Sequence, residues 1–153
     1  VIVSGQLKLE SNKISKARKY LFCDTNILVT RIWSETHFDG YCDPEIIKLS
    51  EEINYNYYLL TSIDIPWNKD DLRDRPNDRE KMFSYFKETL NKNNKPYSII
   101  KGSIKDRLSD CIKIINNLWL LFCNFVKSQK GCYKSWDYTH WTWTGNAVKG
   151  KLI

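Results

Sequence analysis

Apolar positions along this chain follow two spacings, one typical of buried strands and one typical of amphipathic helices. Short continuous apolar runs bounded by turn residues predict strands over residues 20–23, 57–62 and 96–100. Elsewhere apolar residues recur every three or four positions, which places them on one face of a helix. The predicted helices cover residues 6–20, 27–38, 44–54, 79–93 and 104–117.

The order of these elements predicts the fold class. Strand and helix alternate, and each crossover is long enough for the next strand to run parallel to the last. We therefore predict an α/β domain over residues 1–118, with a partial P-loop kinase-type parallel sheet flanked by helices. Residues 119–153 form a Trp/Lys-rich C-terminal extension with no clear period, and either a docking hairpin or an irregular segment would fit it.

Composition and charge narrow the class of protein. The chain has 153 residues, 42% hydrophobic and 14% aromatic, which is typical of one globular domain. No apolar run approaches the roughly 18 residues of a membrane span, and no secretory signal is recognisable, so we expect a cytoplasmic protein without a membrane partner. The net charge is +6, of which residues 121–153 supply +4 (five lysines, one aspartate) and the first 120 residues +2. This even balance in the main body argues against nucleic acid as the partner.

The five cysteines predict neither a disulfide framework nor a zinc site. Their number is odd, and no two of them form a CxxC pair. Buried or incidental thiols are the expectation.

The first candidate site follows the predicted strand at residues 20–23. Asp24, Thr25 and Asn26 come directly after this run, and open α/β sheets bind ligands at the carboxyl ends of their strands. A carboxylate there can hold magnesium or accept the proton of an acceptor hydroxyl. All three residue types also cap helices well, so a structural cap for the following helix remains an alternative.

The second candidate site is the charged loop after the strand at residues 57–62. Pro66 ends regular structure, and Asp71, Arg73 and Arg79 follow among many opposite charges. The planar fork of arginine forms paired hydrogen bonds with phosphate oxygens, which suits a lid over a phosphate group. A solvated, salt-bridged loop is the alternative. We predict Asp78 as the cap of the helix over residues 79–93.

Three segments of the chain resemble the NadR-type ribosylnicotinamide kinase domain, a P-loop domain of the AAA/ATPase type. They are LFCDTNILVTRIWSE at 21–35, YLLTSIDIPWNKDDLRDRPNDREKMF at 58–83 and PYSIIKGSIKDRL at 96–108. The likeness spans most of residues 5–118 in the family's order and spacing. Its most specific part is D-T-N/D followed by D-x-P-W-x-x-D-x-L-R, with a later arginine and phenylalanine.

The resemblance implies a chemistry and a set of site residues. It implies ATP and Mg²⁺ as cofactors, and phosphoryl transfer to a ribosyl nucleoside such as nicotinamide riboside, a step of NAD biosynthesis. By this likeness the catalytic candidates are Asp24, which is also the metal ligand, Arg73 and Arg79. The substrate-binding candidates are Thr25, Asn26, Trp67 and Asp71.

The chain departs from the family pattern at its start. Family members begin with a strand and a GxxxxGK[ST] phosphate loop, whereas this sequence begins at Val1. We therefore expect a truncated kinase domain that lacks the Walker A segment and is inactive by itself. The alternatives are a non-catalytic module that binds a nucleotide or a protein, and a basic nucleic-acid-binding protein that uses the aromatic extension.

Overall fold

A computed structural model describes residues 2–67 and 77–128, with side chains up to residue 123. The described residues fall into two compact units, residues 2–99 and the residues from 100 onward. The elements are α1 (Ile2–Ile14), α2 (Ile27–His37), α3 (Pro44–Glu52), β1 (Tyr58–Thr61), α4 (Arg79–Lys92), β2 (Tyr97–Ile100) and α5 (Ile104–Ser128).

The sheet of the described residues consists of two parallel strands. β1 and β2 are neighbours, α4 connects them, and the Tyr58 N–H donates to the Pro96 carbonyl at 2.9 Å. This strand–helix–strand unit is compatible with the predicted α/β class. The strand predicted over residues 20–23 is wrong in its extent, because only Phe22 forms a β-bridge there. A strand needs successive ladder bonds, and the neighbours of Phe22 make none.

Three of the predicted helices are confirmed within two residues at each end. They are α2, α3 and α4, and each has a local signal at its start: α3, for example, begins at Pro44 after Asp43, whose carboxylate accepts from the Glu45 N–H at 2.8 Å. The cap predicted at Asp78 is only partly right. Asp78 occupies the N-cap position, but its side chain makes no capping hydrogen bond.

The first and last helices differ from their predicted bounds. α1 spans Ile2–Ile14 instead of residues 6–20, and its end tightens into short i→i+3 bonds, from Lys16 N–H to Lys13 O and from Ala17 N–H to Ile14 O. α5 continues to Ser128, well past the predicted end at residue 117. None of the helices in the described ranges is long and apolar enough to cross a bilayer.

The core of the first unit joins the helices to the sheet. Its buried side chains are Leu28, Ile32, Tyr55, Tyr58 and Leu90. Beside this core, the buried guanidinium of Arg31 contacts Glu35 at 2.8 Å on its own helix and Glu51 at 3.1 Å on α3. Burial disfavours the charge on Arg31, but the two carboxylates outweigh this effect and leave its pKa raised. The ion-pair network therefore fixes α2 against α3.

The described part of the second unit is the start and body of α5. Ser103 and Asp106 form a reciprocal cap, in which the Ser103 hydroxyl donates to Asp106 Oδ2 at 2.6 Å and accepts from the Asp106 N–H at 3.2 Å. The Asp106 carboxylate also accepts from the Ser103 backbone N–H at 3.1 Å, and the hydrogen bonds from the Ser103 hydroxyl and N–H lower the pKa of Asp106. They explain why α5 begins at Ile104.

Candidate functional site

The residues 24–26 form a short loop between Phe22 and α2, which we call the Asp24 loop. Its last residue, Asn26, is fully buried at 0% exposure and is the N-cap of α2. The Asn26 side-chain oxygen accepts from the Val29 N–H at 3.0 Å. The capping alternative raised from the sequence is therefore correct for Asn26, and it leaves Asp24 available for another role.

Helix α1 holds the middle of the Asp24 loop. Thr25 has a φ of 66°, in the left-handed region that non-glycine residues adopt only at a cost. Its carbonyl accepts a hydrogen bond of 2.6 Å from the side-chain amide of Gln6, and the Gln6 oxygen lies 3.4 Å from the Thr30 hydroxyl. One glutamine thus contacts both the loop and the first turn of α2.

On the buried side of the loop, the Asn26 amide lies near the hydroxyl of Tyr58. The Asn26 amide nitrogen and the Tyr58 hydroxyl are both buried, and neither has a hydrogen-bond partner among the described residues. Burial raises the pKa of Tyr58, and Asn26 lies close enough to oppose part of that rise. We infer from these two observations that the groups are neighbours whose separation or angle falls outside hydrogen-bonding geometry.

A second buried polar pair lies beside the first. Glu10 of α1 is 6% exposed, and the Tyr55 hydroxyl is 3.1 Å from each of its carboxylate oxygens. Burial, followed by the charge of Glu10, raises the pKa of Tyr55. Since Gln6 and Glu10 are one turn apart on α1, this helix inserts two polar side chains into the unit on one face.

Asp24 itself presents a carboxylate to solvent. Its side chain is exposed, and within the described ranges it forms no hydrogen bond and no ion pair. The backbone on its C-terminal side is fixed at Thr25 and Asn26. A carboxylate without a described partner on a fixed loop is available to a cation or a hydroxyl donor that arrives from solvent.

Asp24 is the one carboxylate of this loop that could serve as a ligand to a divalent cation. No group of three or more His, Cys, Asp or Glu side chains within the described ranges is arranged to enclose a metal. Magnesium does not require such a cage, because it commonly binds through one or two carboxylates together with phosphate oxygens and water. Asp24 can supply one ligand of this kind.

Arg79 lies in a different place and has a described structural role. Its Nη2 atom donates to the carbonyls of Ile63 at 2.9 Å and Ile65 at 2.6 Å, which fixes the chain that follows β1. Trp67, at the end of this segment, is half-buried. Asp71 and Arg73 lie outside the described residues. The structure therefore brings Asp24, Thr25 and Asn26 together in one loop and places Arg79 at another.

Sequence reasoning missed the residues that support the Asp24 loop. Gln6, Glu10 and Tyr58 contribute polar groups to it or to the buried pairs behind it. A signal was present in α1, where Gln6 and Glu10 interrupt the half-buried face that also holds Leu7 and Ile14. A polar side chain on such a face needs a hydrogen-bond partner, but the periodicity does not say which one.

A groove of about 1060 Å³ opens between α1, α2 and α3. Trp33 of α2 and Phe38, the residue that follows this helix, contribute aromatic rings to it, and Asp43 and Glu45 contribute carboxylates. None of the candidate site residues within the described ranges lines this groove. This concavity of the first unit is thus separate from the Asp24 carboxylate.

Comparison with known proteins identifies the family. Residues 2–107 match the sequence profile of a family described as AAA domain, which is more than half of the chain. The chain belongs to this family, and the match supports a P-loop, AAA-like domain with the nucleotide-binding fold that this class shares. No curated protein and no solved structure matches the chain.

Proposed function

We propose that this AAA domain binds Mg·ATP and belongs to a NadR-type kinase that transfers a phosphoryl group to a ribosyl nucleoside such as nicotinamide riboside. The observation that carries the proposal is the Asp24 carboxylate, which is exposed and has no partner among the described residues, on a loop whose next two residues are fixed. The family match supports the nucleotide, and the resemblance in the DTN and DxPW segments supports the nucleoside acceptor.

In this proposal each candidate residue has its own role. Asp24 binds the magnesium of the nucleotide or orients the acceptor hydroxyl, and Thr25 and Asn26 keep it in place. When bound, magnesium would neutralise charge on the phosphate groups. Arg73 and Arg79 close on the phosphates, since arginine clamps supply much of the electrostatic stabilisation in phosphoryl transfer. The described contacts of Arg79 use only Nη2, so its other donors can still serve a ligand.

Trp67 and Asp71 complete the proposed site on the acceptor side. Their role rests on the resemblance alone, as does that of Arg73. The domain that we assign to this function covers residues 1–118. Its proposed boundary falls inside α5, which continues to Ser128, so a shortened chain made to test the domain should retain the whole helix.

The first test is equilibrium dialysis of the full chain against labelled ATP, with and without Mg²⁺. We expect Mg²⁺-dependent binding that falls by about 10-fold or more in Asp24→Asn, because the substitution removes a ligand charge but retains the side-chain size. The matched control is Asp39→Asn. Asp39 is an exposed aspartate with a φ of 50° at the opposite end of α2.

The outcomes separate the parts of the proposal. Equal loss in Asp24→Asn and Asp39→Asn would indicate a general charge effect and would remove Asp24 from the site. The absence of binding at millimolar Mg·ATP would contradict nucleotide binding by this chain. Nucleoside-stimulated ATP turnover that Arg73→Ala abolishes would support the kinase. Binding without turnover fits both a truncated kinase domain that is inactive by itself and the non-catalytic alternative.

A further inference from the structure

The Gln6 side chain contacts the backbone of the Asp24 loop from another helix. It lies 19 residues before Thr25 in the chain, and its amide reaches the Thr25 carbonyl at 2.6 Å. The same side chain accepts from Thr30 at 3.4 Å. Because an amide both donates and accepts, Gln6 can hold the loop with one end and the first turn of α2 with the other.

Gln6 contacts the loop at Thr25, the residue whose backbone conformation is energetically costly. The φ of 66° at Thr25 lies in the left-handed region, which is costly for a β-branched residue. A hydrogen bond to the Thr25 carbonyl fixes the peptide plane that links Thr25 to Asn26. Asn26 cannot shift to compensate, because it is fully buried and caps α2.

Asp24 directly precedes Thr25, the first residue of this fixed peptide. Its own carboxylate has no described partner, so only the backbone around Asp24 limits where the side chain can reach. A side chain that fixes the conformation of Thr25 therefore helps to fix the backbone position from which the Asp24 carboxylate extends. Residues that orient a metal ligand commonly affect metal affinity by about 10-fold or more when they are changed.

We propose that Gln6 is a positioning residue for Asp24: its hydrogen bond to the Thr25 carbonyl holds the loop backbone where the Asp24 carboxylate can reach a nucleotide-bound divalent cation. This inference rests on the proposed function of Asp24. It adds to that function a residue from α1, a helix that contributes no residue to the resemblance-based site. Gln6 acts through Asp24 and does not itself contact the ligand.

The decisive variant is Gln6→Glu. A glutamate has nearly the same shape and can still accept from Thr30, but in its ionised form it cannot donate to the Thr25 carbonyl. Gln6→Leu is a second, neutral variant that controls for the added charge. Asn12→Ala is the matched control, because Asn12 is an exposed residue of the same helix and its side chain has no described contact with the loop.

The functional readout is the Mg²⁺ dependence of ATP affinity, measured by dialysis on the full chain. We expect both Gln6 variants to lose about 10-fold in affinity for Mg·ATP while their affinity for metal-free ATP stays at the wild-type value. The double variant with Asp24→Asn should lose no more than Asp24→Asn alone, because Gln6 acts through that carboxylate. Additive losses, or equal losses with and without Mg²⁺, would overturn the assignment.

A structural readout keeps this inference separate from the proposed function. NMR relaxation and the HN–Hα coupling of Thr25 report the order and φ of the loop without any ligand. We expect the coupling to change and the loop amides to become more mobile in both Gln6 variants, but not in Asn12→Ala. If wild-type protein binds no Mg·ATP, the proposed function fails, and this measurement still decides whether Gln6 holds the loop. Unchanged loop signals in Gln6→Glu would contradict the role of Gln6.

Discussion

Two loops of the first unit are fixed in opposite ways, and the difference indicates which one is available for a ligand. In the Asp24 loop, neutral amides hold the backbone: Gln6 binds the Thr25 carbonyl and Asn26 caps α2. In the chain after β1, the charged guanidinium of Arg79 has this role, because it binds the carbonyls of Ile63 and Ile65.

The two loops therefore differ in whether their charged candidate residue, Asp24 or Arg79, takes part in holding the backbone. The Asp24 loop is fixed without its carboxylate, which stays exposed and unpaired among the described residues. The described segment after β1, residues 62–67, is held by Arg79, the arginine that the resemblance assigns to a phosphate, so one of its nitrogens is already occupied. We therefore propose Asp24 ahead of Arg79 as the residue that contacts the ligand.

The largest expected effect comes from Asn26→Ala, which breaks the Asp24 loop at its buried end. The change removes the cap on Val29 and leaves a gap at a fully buried position. We expect the free energy of unfolding to fall by about 2 kcal/mol, of which roughly half is the lost cap. Denaturant unfolding monitored by circular dichroism measures this change.

Asn26→Ser separates the capping role of Asn26 from the contribution of its buried amide nitrogen. Serine can cap a helix but lacks the buried amide nitrogen, so it should recover part of the stability that alanine loses. A loss in Asn26→Ala no larger than that of the exposed control Asn12→Ala would show that the cap does not hold this loop.

Arg79→Met should have a smaller effect, at the other loop. Methionine retains the apolar stem but loses both hydrogen bonds to the carbonyls of Ile63 and Ile65. We expect a loss of about 1 kcal/mol in the free energy of unfolding, since these bonds are partly exposed. Lys87→Met, at an exposed position of the same helix, removes an equal charge as the control. If both variants unfold at the same denaturant concentration, Arg79 does not stabilise this segment.

The smallest effect at neutral pH concerns the buried tyrosines behind the Asp24 loop. Burial raises the pKa of Tyr55 and of Tyr58 above the ordinary tyrosine value of 10.0. The folded state thus favours the protonated phenols, and the stability from this preference is fully present below about pH 10. It is lost as the pH rises from there toward the raised folded values.

Absorbance at 295 nm across an alkaline titration checks this prediction. Tyr55 and Tyr58 should remain protonated in the folded protein after the exposed tyrosines have ionised, and Tyr58→Phe should remove one late-ionising group. Ionisation of all tyrosines together near pH 10, without unfolding, would contradict the burial of these two side chains.

The sequence was sufficient to predict most of the local structure. Helices α2, α3 and α4 follow from a 3.6-residue period with start signals such as Pro44 and Asp43, and the parallel pair β1 and β2 follows from the order of elements. The length of the strand before Asp24 was overestimated. An apolar run of four residues does not reveal whether a neighbour supplies ladder bonds, and only Phe22 has one.

The residues of the candidate site were predictable, but the contacts that support them were not. Asp24 could be singled out because a carboxylate follows an apolar run. The contact between Gln6 and Thr25 joins residues 19 positions apart, and it depends on how α1 packs beside α2, which no local period encodes. The left-handed conformation of Thr25 was equally hidden, because threonine is not a residue that usually indicates a positive φ.

The measurement that tests the central claim most directly is paramagnetic line broadening with Mn·ATP, since Mn²⁺ can occupy magnesium sites with oxygen ligands. The amide signals of Asp24, Thr25 and Asn26 should broaden first as Mn·ATP is added at low stoichiometry, and excess Mg·ATP should reverse the effect. In Asp24→Asn the same signals should stay sharp. Broadening that begins elsewhere in the chain and spares this loop in the wild-type protein would contradict the account.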